Sequence, residues 1–344
     1  MKSTIIEAAL DKVHVRIFTM GGNGIGESFL ILFQQDESVL YSILIDSFST
    51  IVKGKDTILP QRFIEHYGIE KLDCIIWSHP HDDHSYGLDT IIEKYHGKKT
   101  IGFIPQYVYG NNRDLIPISP TCVKVRKTFK SKFRKNSLIA IDCAAGESRL
   151  LIKGEIKDVS REDSKNFTLH FLTPIGSPLN QRMAENNPYS QSQLNLLSIS
   201  MILTVDGYRF YFGGDTPGSI IKQSDTQMIN SSRWTTIPHH GSNTSKELRM
   251  ILKRNIDCAS CTTYLSQPLP RTEVLDLYKT PEECRVHVTQ KDKQSIFSYG
   301  VIEYDYMFSA VPNAKLTIRR YGNAYEYIGT NQQQSLNCKK RKSF

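Results

Sequence analysis

The chain opens on alternation. VHVRIFT (13–19), SFLILFQ (28–34) and VLYSILID (39–46) carry apolar residues at every second position or in short unbroken runs. That is the pattern of strands buried on one or both faces. GGNGIGE (21–27) and QQDES (34–38) punctuate them as turns. LPQRFIEHYG (59–68) shifts to a helical period and stops at a glycine. LDCIIW (72–77) is apolar again, runs straight into SHPHDDHSYG (78–87), and is followed by the helical GLDTIIEKYHG (87–97).

Past residue 100 the pattern weakens. TIGFIPQYVYG suggests a strand and loop, KVRKTFKSKFRK (124–135) a helix, and SRLLIKGEI a strand. The span of about 100–165 is therefore expected to be a basic insertion. From residue 167 the signal sharpens: FTLHFLTP, then LLSISMILTVDGYRFYFGGD, a hairpin turning at Asp206-Gly207. WTTIPHHGSNTS is a strand entering a loop. SKELRMILKRN and TEVLDLYK are helical, and IDCASCTTYL, RVHVTQ and SIFSYGVIEYDYMF are strands. No repeat and no Pro/Gly/Ser-rich linker divides the chain. One domain over 1–344 is expected, with a core of about 12–298 and with C-terminal strands and a basic tail over 299–344. Two strand-rich halves that each carry helices predict an α/β architecture.

Composition narrows the class. At 344 residues, with 10% aromatic and 23% charged residues, the chain has the makings of a globular core. No run of 18 apolar residues occurs, and Glu7 and Asp11 interrupt the start, so a cytoplasmic protein without a membrane span is expected. The seven cysteines are scattered. Cys258 and Cys261 form a C-x-x-C with no second pair, which reads as core thiols, not a zinc ribbon. GGNGIGE lacks dinucleotide-loop spacing, and a strand follows it.

A net charge of +8 favours anionic partners. The excess concentrates in 124–135, which holds seven basic residues, and in the terminal CKKRKSF. Lys127, Lys130 and Arg134 fall at helical spacings and would form one positive stripe suited to phosphates. Phe129 and Phe133 make a neighbouring apolar stripe, expected to dock the helix; stacking on unpaired bases is the alternative.

Four polar clusters terminate apolar strands: Asp46 in LIDS; His79, His81, Asp83 and His84 in SHPHDDH; Asp215 in FGGD; His239 and His240 in IPHHGS. Residues two apart in an extended segment share a side, so His79 and His81 can grip one cation. A turn after His81 lets Asp83 and His84 face a second. Mixed imidazole and carboxylate ligation suits Zn²⁺, Mn²⁺ or iron, whereas Mg²⁺ prefers oxygen.

H-x-H-x-D-H after a strand resembles the signature of the metallo-β-lactamase fold. The order GNGIGESFLI, ILIDS, SHPHDDHSYGL, LHFLTP, NLLSISMILTVDGYRFYFGGD, IPHHGSNTS resembles the soluble metallo-hydrolase domain of ComEC-type DNA-uptake (competence) proteins, over roughly residues 12–298. The resemblance implies a four-layer αββα sandwich with a site on one edge between its sheets. It implies one or two divalent metal ions, zinc or manganese, with His79 and His81 on the first and Asp83 and His84 on the second. Asp215 would bridge the two, His240 complete the second site, and His239 face the substrate; which of the two adjacent histidines is the ligand stays open. Asp46 would orient a ligand histidine from behind. Asn195 stands where many dinuclear relatives carry another histidine, which would leave the first site thinly liganded. Leu269-Pro270 replaces a His-Pro pair, and Asp82 holds the variable position of the motif, expected to be exposed.

The implied activity is a metal-dependent hydrolase, a phosphodiesterase or nuclease acting on DNA or RNA. Asp83 or Asp215 would accept the proton of the attacking water, His239 would donate to a phosphoryl oxygen, and the basic run would track the backbone. Hydrolysis of a small phosphoester, cyclic nucleotide, lactone or thioester is one alternative. A non-catalytic, metal-stabilised binding protein is another.

Overall fold

In the computed structural model the alternating segments become strands of two facing sheets. The structure describes residues 4–8, 12–22, 25–105, 108, 116–135, 137–143, 152–158, 164–175, 188–252, 256–264, 266–280, 284–290, 299–308 and 314–330. The chain begins with β1 (Thr4–Ala8), β2 (Val13–Gly22), β3 (Gly26–Gln35) and β4 (Ser38–Ile45). A small hairpin of β5 (Ser49–Val52) and β6 (Lys55–Ile58) leads into α1 (Leu59–His66), β7 (Cys74–Ile76), α2 (Leu88–Tyr95) and β8 (Ile101–Pro105). Next come α3 (Pro120–Arg134), β9 (Ile139–Cys143), β10 (Ile152–Asp158), β11 (Ser164–Phe171), β12 (Met201–Val205) and β13 (Tyr208–Phe212). Two short helices, α4 (Gly218–Ile221) and α5 (Thr226–Asn230), precede β14 (Trp234–Thr236), α6 (Lys246–Ile251), β15 (Cys258–Cys261) and α7 (Thr272–Lys279). The last strands are β16 (Arg285–Val288), β17 (Tyr299–Phe308), β18 (Lys315–Gly322) and β19 (Tyr325–Tyr327).

One sheet runs β18-β17-β2-β3-β4-β7-β8-β9 and the other β1-β10-β11-β12-β13-β14-β15-β16-β19. Strand alternation decides what each face meets. Val15, Ile17, Phe29, Ile31 and Phe33 point inward against Phe167, Leu169, Leu203 and Phe212 of the opposite sheet. Their neighbours Phe18, Met20, Leu30 and Leu32 point outward, under Ile64 of α1, Ile91 and Ile92 of α2 and Phe129 of α3. On the far side Ile202, Tyr211 and Val286 meet Ile221, Leu248, Val274 and Tyr278 of α4, α6 and α7. These contacts make the four-layer αββα sandwich expected from the sequence.

Two boundaries differ from expectation. The span expected as a basic insertion is built into both sheets: β8 and β9 extend one, and β10 joins the other between β1 and β11. Gly102 explains how α3 lies so close over β8, because a Cβ there would stand 2.6 Å from the Phe129 ring. The core also runs past residue 298. β17 sits inside its sheet between β18 and β2, and its Ile302, Tyr304 and Tyr306 belong to the inter-sheet core. Local periodicity cannot show that Val13–Gly22 will pair with a segment almost the whole chain away. The CKKRKSF tail lies outside the described residues.

Cys74, Cys122, Cys258, Cys261 and Cys284 are free and buried. Cys258 packs between the sheets and Cys261 beneath the outer helices, so this C-x-x-C does not converge on a metal. Among the described residues no helix is long and apolar enough to cross a membrane.

The topology then fixes where chemistry can gather. β4 and β7 are parallel neighbours in one sheet, and β13 and β14 in the other. Their C-terminal ends deliver Asp46, His79, Asp215 and the His239-His240 pair to one edge. Parallel strands present their ligands at such an edge.

Candidate metal centre

Asp46 is the buried pivot. Its backbone N–H continues the ladder to the Ile76 carbonyl at 2.9 Å, and a left-handed φ of 57° turns its carboxylate inward. That carboxylate accepts from the Ser78 N–H at 2.7 Å, the Ser78 hydroxyl at 2.5 Å and His84 Nδ1–H at 2.8 Å. Ser78 Oγ, having given its proton to Asp46, takes His79 Nδ1–H at 2.9 Å. One carboxylate thus orients His84 directly and His79 through a hydroxyl, leaving both Nε2 atoms facing the cluster. His81 donates from Nε2 to the Gln191 carbonyl at 3.0 Å and turns Nδ1 to within 3.2 Å of His79 Nε2.

Asp215 reaches in from the other sheet, its N–H held by Ser198 Oγ at 3.1 Å. Its carboxylate lies 3.8 Å from His79 Nε2 and 3.6 Å from His84 Nε2. His239 and His240 both adopt a φ of 50°, which costs side-chain-bearing residues about 1–3 kcal/mol each and clusters at functional sites. The turn sends the two rings different ways. His240 Nε2 comes within 3.2 Å of Asp83 Oδ2 and 3.8 Å of Asp215 Oδ1, and its Nδ1 lies 2.8 Å from Thr262 Oγ1. His239 Nε2 lies 3.9 Å from Asp215 Oδ2 and 3.3 Å from the Asn195 amide nitrogen, while Nδ1 meets Thr244 and Ser242 hydroxyls at 3.1 Å.

Among the described residues, two groups bring donor atoms within 4.8 Å of one another: His79, His84 and Asp215, and Asp83, His84 and His240. His84 Nε2 belongs to both, so it sits between the two positions. His81 and His239 stand just outside these groups. The donors fit a divalent cation: His84 Nε2 and Asp215 Oδ1 are buried with no hydrogen-bond partner. Orphaned buried polar atoms cost about 1–3 kcal/mol each unless something fills the gap between them.

The charges agree. Burial, then the neighbouring histidines, hold His79 well below its ordinary pKa, in the neutral form a ligand needs. Burial would lower His84 too, but the Asp83, Asp215 and Asp46 carboxylates raise it well above the usual range. His240 is likewise raised, against burial, by Asp215 and Asp83. Burial would raise Asp83 and Asp215, yet the surrounding imidazoles lower both. The carboxylates thus draw positive charge to this cluster, and a cation would supply it.

The cluster floors a cavity of about 430 Å³, walled by Gln191, Asn195, Tyr264, Gln267 and Leu269. Among the described residues, no lysine or arginine lines it. Asp82, expected to be exposed, instead accepts from the Ser119 hydroxyl that caps α3, tying the ligand loop to that helix. Gln191 donates to the Pro117 carbonyl at 2.8 Å, a second tie at the same end. None of the basic residues of α3 lines the cavity. Lys127 and Arg134 are exposed, Lys130 is half-buried, and Lys132 pairs with Glu93. Only part of the apolar stripe docks: Phe129 is 0% exposed and Phe133 45%.

Sequence reasoning missed Ser78, Thr262 and Glu27. A glutamate opening the apolar run SFLILF was a signal; a serine or threonine beside a strand end is not.

Residues 26–115 match the family model of the metallo-beta-lactamase superfamily. The chain has the metallo-β-lactamase fold. Similar solved structures share little sequence. A diphosphatase of the PhnP family is 12% identical with a TM-score of 0.39, covering 80% of this chain and 94% of that one. The metallo-beta-lactamase fold protein YhfI from Bacillus subtilis is 15% identical with a TM-score of 0.33, covering 71% and 95%. Zn²⁺-bound PqqB from Methylobacterium extorquens is 10% identical with a TM-score of 0.36, covering 71% and 78%. No curated protein matches the chain.

Proposed function

We propose that this metallo-β-lactamase-fold chain is a metal-dependent hydrolase of phosphodiesters, with DNA or RNA as its substrate class. The observation that carries the reading is the pair of donor groups that share His84, with unpartnered His84 Nε2 and Asp215 Oδ1 beneath an open cavity. His79, His84 and His240 through Nε2, His81 through Nδ1, and Asp83 and Asp215 through their carboxylates are the residues that would hold zinc or manganese. Such ions supply Lewis-acid polarisation of a phosphoryl oxygen and a nucleophilic water at neutral pH. Asp83, which lines the cavity, would take the proton of that water. His239 presents Nε2 to the same cavity and interacts with the substrate phosphate. Asn195 sets the height of that ring.

Two features favour a polynucleotide. The motif order resembles ComEC-type DNA-uptake proteins. α3 is tied to the ligand loop at its N-terminal end and is about 22 Å long, exposing Lys124, Lys127 and Arg134. One feature favours a small phosphoester instead: among the described residues no lysine or arginine lines the cavity to grip a chain of phosphates.

The test separates the two adjacent histidines. His239→Ala should keep its zinc, measured on the purified protein, and lose about 10²-fold or more in turnover of a generic phosphodiester. His240→Ala should lose zinc. The reverse pattern would exchange their roles, and wild-type protein that binds zinc without turning over any single-stranded, duplex or cyclic substrate would leave only a binding function.

A further inference from the structure

Glu27 lies at the start of β3, opposite Gly21 of β2, and is 2% exposed. A buried carboxylate is costly unless its oxygens are satisfied. Thr262, 1% exposed and directly after β15, donates its hydroxyl to Glu27 Oε2 at 2.5 Å. A threonine hydroxyl has one proton. Once Glu27 holds it, Thr262 Oγ1 can only accept from its remaining neighbour, His240 Nδ1, at 2.8 Å.

We propose that Glu27 and Thr262 form a relay that fixes the tautomer of His240, with Nδ1 protonated and Nε2 bare toward Asp83 and Asp215. This rests on the reading of His240 as a metal ligand. Two further observations support it. His84, which shares a donor group with His240, has the same arrangement in shorter form, its Nδ1–H bound directly by Asp46. The His240 backbone is left-handed, so its ring needs holding from elsewhere, and the relay together with the Tyr264 ring 5.1 Å away supplies that. The relay also crosses the sandwich: Glu27 belongs to one sheet, and Thr262 and His240 extend from strands of the other. Glu27 and Thr262 are positioning residues, since neither reaches the cavity.

The experiment uses the full chain and Zn²⁺ as probe, with affinity measured by competition against a chromophoric chelator. Thr262→Val and Glu27→Leu should each weaken zinc binding about 10–100-fold, the usual effect of losing an outer partner. Thr262→Ser, which keeps the hydroxyl, should stay close to wild type. His240→Ala is the reference: if it loses zinc while Thr262→Val does not, the relay is wrong and the ligand assignment stands. If His240→Ala binds zinc as wild type does, the ligand assignment fails and the relay with it. Long-range ¹H–¹⁵N spectra of zinc-loaded wild-type protein give an answer that needs no variant to fold. Protonation of His240 at Nδ1 is expected there, and a proton on Nε2 overturns the proposal.

Discussion

His287 shows how burial and nearby cations give a residue away from the site its own pH signature. It is 1% exposed on β16, with the Tyr304 hydroxyl 3.1 Å from Nδ1. Burial first, then the fields of Arg320, Arg285 and Lys279, push its pKa down to about 3 from an ordinary 6.5. Glu326 stands 3.9 Å from Nε2 but equally far from Arg320, so it does little to restore the charge. The unfolded chain binds a proton here that the folded chain refuses. The contribution is therefore fully present above about pH 6.5 and is lost as pH falls toward 3, with about 2 kcal/mol of it gone by pH 5. His287→Gln should flatten the loss of urea-measured stability between about pH 7 and pH 5 relative to wild type. Equal slopes in the two proteins would show that His287 is protonated in the fold.

At the scale of elements, α3 is where the nucleic-acid reading is most exposed to test. Lys127 and Arg134 reach solvent and Lys130 partly does, so replacing all three with Gln should remove two to three phosphate contacts. On single strands each contact is worth about 0.7 in the slope of log affinity against log salt, so the slope should fall by roughly 1.5–2. Zinc content should be unchanged. An unaltered slope would make α3 a plain cover for β8 and move the small-phosphoester reading ahead. The same helix marks the limit of what was legible. Helical spacing put Phe129 and Phe133 on one stripe, but among the described residues the sheet ends at β9, whose Ile139 is 46% exposed, and Phe133 stays 45% exposed. β2, β3, β4 and the β12–β13 hairpin were legible because alternation is local. The place of β17 beside β2 was not, because pairing across the whole chain leaves no local trace. Asp46, Asp215 and the histidines stood out because each interrupts an apolar run. Ser78 and Thr262 act through ordinary hydroxyls whose neighbours are known only once the chain has folded.

The whole molecule is divided by its own site. Asp46, His79, His81, Asp83 and His84 follow strands of the eight-stranded sheet, whereas Asp215, His239 and His240 follow strands of the nine-stranded one. Both donor groups draw on both sides, with Asp215 or His240 completing a set begun by His79, Asp83 and His84. A cation held there would clamp the sheets at one edge, and it would favour the folded chain, which alone assembles the donors. At zinc concentrations about 100 times the dissociation constant, that linkage stabilises by about 2.7 kcal/mol, and the melting temperature should rise by several degrees. Because His84 Nε2 serves both groups, His84→Ala should remove nearly all of the zinc-dependent increment, beyond any drop in its own melting temperature from stranding Asp46. Comparing each protein with and without zinc isolates that increment. His81→Ala, which lies outside the two tight groups, should keep most of it. If His84→Ala gains as much from zinc as wild type, the ion binds elsewhere, and the buried orphans on His84 and Asp215 need another occupant.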